Sequence, residues 1–155
     1  MKNHRILFVC LGNICRSPAA EAIFLQMARE QGLNVEVDSA GTSAWHAGEK
    51  ADARMRKHAS ERGYTITSIS RAFHRDDFEQ FDMIIAMDDQ NFFNLRSEAR
   101  STDDEAKIYR MRDFFVEKDF DHIPDPYYGG SKGFDLVIDL LEDASQGLLN
   151  KLKPD

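Results

Sequence analysis

The sequence predicts an α/β domain in which a parallel sheet is covered by helices on both faces. Short apolar runs alternate with segments of helical composition along the whole chain, as in other parallel α/β folds. The run Ile6–Val9 has no polar residue in it, which is typical of a strand buried on both faces. The length of 155 residues fits one compact domain.

The first unit of the predicted fold is a strand, a loop and a helix. The strand over Ile6–Val9 is followed by a helix over residues 19–29, which is rich in Ala, Glu, Leu, Gln and Met. Pro18 is expected at the first helical position, and Gly32 at the left-handed position past the end. Ligands of such sheets bind beyond the carboxyl ends of the strands, where Cys10 follows.

The second unit repeats this order. Val35 and Val37 indicate a short strand over residues 34–38. A helix is expected over residues 49–62, closed by Gly63.

Two further strands are expected in the second half of the chain. Residues 82–87 contain an apolar stretch, and a helix over residues 91–98 follows it with Asp88 or Asp89 as its cap. Residues 107–111 form a weaker strand candidate.

The last element is predicted as an amphipathic helix over residues 134–152, since its apolar residues follow helical spacing. The acidic stretch over residues 101–107 is interpreted as a solvated loop.

Composition excludes several classes of protein. A net charge of −7 would repel nucleic acid and anionic membrane surfaces. The polar start and the short apolar run after it do not resemble a signal peptide or a membrane span.

Two cysteines five positions apart suit a reducing compartment, so we expect a cytoplasmic protein. The five histidines lack metal-ligand spacing, and neither a metal nor a cofactor is predicted.

The segment from Cys10 to Ser17 is predicted to bind an anion. Gly12 and Asn13 can adopt left-handed conformations that turn backbone N–H groups inward, and a helix begins just after them. Such a nest at a positive helix end matches the oxygens of a phosphoryl group. Arg16 would grip two of these oxygens.

The same surroundings would activate Cys10. A helix N-terminus and an arginine stabilise a thiolate, which is the nucleophilic form of cysteine. Ser17 would donate its hydroxyl to this thiolate, and Asn13 would hold the loop by side-chain hydrogen bonds. The alternative is that Cys10 is only a small buried apolar residue.

Asp125 is the predicted general acid, because a departing alkoxide or phenolate needs a proton. Pro124 and Pro126 would stiffen the loop around it. Tyr127 and Tyr128 would line a crevice deep enough for phosphotyrosine. An ordinary Asp-Pro turn is the alternative.

These residues resemble a known family, the low-molecular-weight protein tyrosine phosphatases. The resemblance rests on the run Val9–Pro18 and on the run Asp125–Tyr128, and it continues through residues 38–43, Trp45 and residues 87–91. It implies a single three-layer domain over residues 1–155, with a central four-stranded parallel sheet of order 2-1-3-4 and helices on both faces.

The resemblance also implies a role for each site residue. Cys10 forms a phosphocysteine, Arg16 clamps the phosphate, and Asp125 acts first as acid and then as base, without a metal. The phosphate-binding loop, its supporting network and the substrate crevice comprise Leu11, Gly12, Asn13, Ile14, Cys15, Ser17, Ser39, Trp45, Tyr127 and Tyr128. Plain core packing is the alternative for Trp45.

Two further positions can be compared with the family. Ser68 stands where members of the family often have His, so one strut of the network is expected to be weaker or replaced. Cys15 resembles the family's second loop cysteine, which can form a disulfide with Cys10 and protect it from irreversible oxidation. A buried structural thiol is the alternative for Cys15.

The implied partners are phosphotyrosine-containing proteins and a cognate tyrosine kinase, and the chain is expected to act as a monomer or weak dimer. Three other functions remain open. An arsenate reductase would need cysteines outside the loop, and a protein-arginine phosphatase typically has Thr in place of Ile14. A phosphopeptide-binding module would not need both a thiol and an acid.

Overall fold

In the computed structural model, which describes residues 3–127 and 130–154, four parallel strands form one sheet. Their order is β2-β1-β3-β4, as predicted, and every neighbouring pair is parallel. The strands are β1 His4–Cys10, β2 Val35–Gly41, β3 Met83–Ala86 and β4 Ile108–Arg110.

Helices cover both faces of this sheet. They are α1 Arg16–Glu30, α2 Ala53–Glu61, α3 Asp77–Gln80, α4 Asp89–Glu98, α5 Thr102–Ala106 and α6 Ser131–Leu152. A 3₁₀ turn, Met111–Phe114, follows β4. None of the helices in the described part of the chain has both the length and the apolarity that crossing a membrane requires.

The central strand β1 separates two apolar cores. Ile6 and Phe8 pack into the core that includes α1 and α6, whereas Leu7 and Val9 pack into the core beneath α4. All four side chains are fully buried. The unbroken apolar run of β1 therefore follows from the burial of both faces of the strand.

Helix α1 begins earlier than predicted. Cys15 is its N-cap and Arg16 its first residue, so Pro18 is the third helical residue rather than the first. This position tolerates proline because the N–H groups of the first turn have no partner within the helix. Gly32 has a φ of 74°, which confirms the left-handed conformation predicted past the end of the helix.

Two other sequence predictions were wrong. The second helix starts at Ala53 rather than residue 49, because Asp52 caps it by accepting hydrogen bonds from the backbone N–H groups of Arg54 and Met55. The stretch predicted as a solvated loop contains α5, whose cap Ser101 accepts a hydrogen bond from the Asp104 N–H. Acidic residues in this first turn are stabilised by the helix dipole.

The C-terminal helix α6 confirms its predicted spacing and starts slightly earlier, at Ser131. It packs on α1 and on the 3₁₀ turn. A Cβ atom at Gly147 would overlap the carbonyl oxygen of Phe114, so this close approach requires glycine.

Candidate active site

The loop between β1 and α1 forms the floor of a pocket at the carboxyl end of the sheet. Cys10 and Arg16 stand at its two ends, and each is only 3% exposed. Asn13 adopts the predicted left-handed conformation with a φ of 55°. Gly12 does not, and its lack of a side chain has another reason: a Cβ there would lie 2.9 Å from Cδ2 of His46.

Asn13 holds the loop in shape with all of its amide atoms. Its Nδ2 donates to Ser17 Oγ at 2.8 Å and to Ser39 Oγ at 3.0 Å, while its Oδ1 accepts from the backbone N–H of Arg71 at 3.0 Å. Ser17 Oγ lies 3.0 Å from Cys10 Sγ. Because Ser17 accepts from Asn13, its own hydrogen has two acceptors within reach, the sulfur of Cys10 at 3.0 Å and the carbonyl oxygen of Ala40 at the longer distance of 3.4 Å.

A partly buried carboxyl group extends this network beneath the loop. Ser39 Oγ donates to Glu21 Oε1 at 2.6 Å. Burial raises the pKa of Glu21, and the hydrogen bond from Ser39 partly opposes this shift. Ser68, at the position where members of the family often have His, lies close enough to Glu21 to oppose the rise of its pKa as well.

The backbone of the loop has a further support that the sequence did not reveal. Ser70 Oγ donates to the carbonyl oxygen of Gly12 at 2.9 Å. Together with Arg71 it comes from the segment after α2, which lacks a recognisable motif. Only its approach to the loop in three dimensions indicates its role.

Arg16 is held in place from two sides. Its Nη1 donates to Asp88 Oδ2 at 2.7 Å and to the carbonyl oxygen of Ile123 at 2.9 Å, and its Nη2 lies 3.8 Å from Asp125 Oδ2. Burial acts to lower the pKa of Arg16, but the negative charges of Cys10 and Asp88 outweigh burial and raise it. The guanidinium therefore stays charged in a buried site.

Asp125 lies on the wall of the pocket that faces Arg16. Its side chain is 38% exposed, and its Oδ1 accepts from the backbone N–H of Tyr127 at 3.0 Å. Arg54 braces the same wall, since its Nη2 donates to the carbonyl oxygen of Tyr127 at 3.0 Å. Arg16 from α1 and Arg54 from α2 both donate hydrogen bonds to the loop that carries Asp125. This loop brings the predicted acid to the predicted phosphate clamp.

Aromatic residues surround the mouth of the pocket. Trp45 is 80% exposed and lies at the rim, which excludes plain core packing. The His46 ring stands between Trp45 and Tyr127, with ring centres 6.4 Å and 6.1 Å away. Sequence reasoning missed His46, and Tyr128 lies outside the described residues. Leu11, Gly12, Ile14 and Cys15 complete the lining.

Cys15 shares the pocket with Cys10, and both thiols are buried and unpaired. Burial raises the pKa of Cys15, and the nearby charges of Asp52 and Cys10 add to the effect. Cys15 is therefore a neutral thiol within the loop. Across residues 3–127 and 130–154, we found no cluster of His, Cys, Asp or Glu arranged to hold a metal ion.

The site combines a buried thiol at the end of a strand, a buried arginine at the start of the next helix and a nearby carboxyl group. This is the geometry of a thiol-dependent phosphatase. The comparison with known proteins agrees with this class. Residues 5–155 match the family described as low molecular weight phosphotyrosine protein phosphatase. The chain belongs to this family.

Individual relatives are similar over nearly their whole length. The low molecular weight protein-tyrosine-phosphatase of Streptomyces coelicolor is 42% identical over 94% of this chain and 92% of its own. A solved protein tyrosine phosphatase of Entamoeba histolytica, with Hepes in its active site, has a TM-score of 0.94 and 48% identity over 96% of each chain. The Drosophila arginine phosphatase DARP has a TM-score of 0.90 and 32% identity, over 97% of this chain and 98% of its own.

Proposed function

We propose that this protein hydrolyses phosphotyrosine in other proteins by way of a phosphocysteine on Cys10. The observation that carries the proposal is that one pocket is lined by the Cys10 sulfur, the Arg16 guanidinium and the Asp125 carboxyl group. These groups supply a nucleophile, a clamp for phosphoryl oxygens and an acid.

In the first step, the thiolate of Cys10 attacks phosphorus while the bond from phosphorus to the tyrosine oxygen breaks. Asp125 gives its proton to that oxygen, and tyrosine leaves as the neutral phenol. Backbone N–H groups of the loop and the guanidinium of Arg16 stabilise the charge on the three peripheral oxygens.

In the second step, Asp125 is a carboxylate and removes a proton from an attacking water molecule. The phosphorus–sulfur bond breaks, phosphate leaves, and Cys10 returns to the thiolate. Ser17, 3.0 Å from the sulfur, donates a hydrogen bond to the thiolate as negative charge returns to it. The Asn13 amide fixes Ser17 for this role.

The aromatic rim supports tyrosine as the phosphorylated side chain. Trp45, His46 and Tyr127 form walls above the buried sulfur, and stacked or edge-on rings suit a phenyl group. A phosphoarginine substrate is the second candidate, since the fold is shared with DARP. Buried Ile14, where we expect Thr in arginine phosphatases, supports tyrosine.

The rival activities, the compartment and the partners of the protein are part of the same proposal. Both cysteines lie in the loop, which supports a phosphatase over an arsenate reductase that needs further cysteines. A free nucleophilic thiol suits the reducing cytoplasm. A cognate tyrosine kinase would supply the substrates, and we propose a monomer or weak dimer.

Turnover of an aryl phosphate by the pure, reduced protein in the presence of a chelator tests the proposal. We expect hydrolysis that needs no added metal, and phosphotyrosine peptides to be cleaved faster than phosphoarginine peptides. Absence of aryl phosphate turnover would exclude the proposed function. Faster cleavage of phosphoarginine would support the second candidate.

A further inference from the structure

Next to the active site lies a surface groove that the proposed mechanism does not use. It has a volume of about 380 Å³ and is lined by Arg54, Lys57, His58, Gly130, Ser131 and Phe134. Three of these side chains are basic, in a protein whose net charge is −7. We call this feature the basic groove.

The basic groove adjoins the active-site wall through one shared side chain. The Arg54 guanidinium lies 5.4 Å from the ring centre of Tyr127, which lines the active site, and 4.9 Å from that of Phe134, which lines the groove. These distances put the two ring centres within about 10 Å of each other, which an extended peptide spans in about three residues.

Two of the three basic side chains that line the basic groove have an acidic partner. Arg54 pairs with Asp52 at 3.0 Å, and His58 Nδ1 lies 2.9 Å from Asp135 Oδ1. Lys57 is exposed and, among the described residues, forms no ion pair. Its ammonium group is therefore available for an anion from outside the molecule.

Polar groups next to Lys57 could hold a carboxylate in place. Ser131 Oγ lies 3.4 Å from Nε2 of His58, on the edge of the imidazole away from Asp135. The hydroxyl is exposed and can donate to a ligand. Phe134 stacks on His58 with ring centres 5.4 Å apart, so the imidazole has a fixed orientation.

We infer that the basic groove binds an acidic side chain of the substrate protein, within about three residues of the phosphotyrosine. This inference rests on the proposed function and adds a substrate class to it: phosphotyrosine sites flanked by Glu or Asp. The carboxylate pairs with Lys57, while the phosphotyrosine occupies the pocket above Cys10. Because the pair is exposed, it contributes selectivity that salt weakens.

Peptide kinetics test the inference directly. Phosphotyrosine peptides with Glu at positions one to three on either the N-terminal or the C-terminal side are compared with the same peptides carrying Ala. We expect kcat/KM to be about two- to fivefold higher for one Glu series, in low salt. Lys57→Glu should abolish this preference, and 0.5 M salt should reduce it, given a Debye length of about 4 Å.

Lys153→Glu is the matched control, because it makes the same change in charge at the far end of α6. Ser131 and Lys153 are separated by the full 22 residues of this helix, or about 33 Å. The control should keep the preference. Both variants should hydrolyse a small aryl phosphate at the parent rate, since neither residue contacts the pocket above Cys10.

The outcomes separate the inference from the proposed function. Either of two results would overturn the inference: equal kcat/KM for Glu and Ala peptides, or an unchanged preference in Lys57→Glu. If the protein still turns over an aryl phosphate in that case, the proposed function stands. If the parent protein shows no turnover at all, calorimetry tests the inference instead, by measuring the binding of the same peptides to Cys10→Ser. Tighter binding of a Glu peptide that Lys57→Glu abolishes supports the basic groove, and equal binding overturns it.

Discussion

The Arg16 guanidinium and the Asp88 carboxylate form an ion pair of 2.7 Å beneath the pocket. The other oxygen of Asp88 accepts from the backbone N–H of Asn91 at 2.8 Å and so caps α4. One carboxylate therefore caps α4 after β3 and orients the phosphate clamp at the start of α1. The proposed function depends on this relationship because a misplaced guanidinium cannot grip two phosphoryl oxygens.

Asp88→Asn tests this relationship, because asparagine keeps the helix cap but removes the charge. We expect kcat/KM for an aryl phosphate to fall about 10- to 100-fold, the value of a hydrogen bond to a charged group. Inhibition by inorganic phosphate should weaken in parallel. Asp89→Asn removes the neighbouring, more exposed carboxylate and should leave both quantities near those of the parent. Unchanged kinetics in Asp88→Asn would show that Arg16 is oriented by other contacts.

Asp125→Asn tests the general acid. We expect kcat/KM for phenyl phosphate, which reports the steps up to formation of the phosphocysteine, to fall about 10²- to 10⁴-fold, because the leaving phenolate would no longer receive a proton. Aryl phosphates with more acidic leaving groups should lose less. Asp121→Asn, an exposed change in the same segment, is the control. An equal loss for all leaving groups would assign Asp125 a purely structural role.

Glu21 predicts a specific pH dependence of stability. Its pKa is raised in the folded protein by burial, so the folded state holds a proton that the unfolded state releases first. The stability of the parent should therefore fall as pH rises from below 4.5, the ordinary value for this carboxyl, through the raised pKa.

Glu21→Gln removes this titration and should gain stability relative to the parent over that interval. Urea unfolding at a series of pH values measures the difference in free energy. Exposed Glu36→Gln is the control. A difference between Glu21→Gln and the parent that stays constant with pH would contradict the assignment.

Cys15 and Cys10 line the same pocket, and we propose that Cys15 protects the nucleophile. Peroxide would oxidise Cys10 to a sulfenic acid, and the sulfur of Cys15 would then displace water to form a disulfide. Inactivation should be reversed by a thiol reductant in the parent and much less in Cys15→Ser. Equal recovery in both would identify Cys15 as a buried structural thiol.

Local patterns, which are strong in β1 and α6, predicted a parallel sheet covered by helices, whereas the strand order came from the family resemblance. The apolar run Ile6–Val9 reflects burial on both faces, and the spacing in α6 reflects a single buried face. Helix α5 was missed because its acidic residues indicated solvation, although Ser101 is a good cap and acids suit the first turn.

The sequence predicted the loop and the acid but not their surroundings. Asp88 was one of two candidate helix caps, with Asp89, but its contact with Arg16 depends on how β3 lies beside β1. His46, Ser70 and Arg54 come from segments without a motif. Tertiary packing alone brings them to the site, so local patterns in the sequence cannot identify them.

Trapping the intermediate tests the central claim most directly. Asp125→Asn protein is mixed with an excess of an aryl phosphate that has an acidic leaving group, quenched rapidly, and digested for mass spectrometry. We predict one phosphoryl group on the sulfur of Cys10, and none in a Cys10→Ser, Asp125→Asn double variant. Rapid turnover by the parent, together with no phosphoryl group on Cys10 at any quench time, would contradict the account.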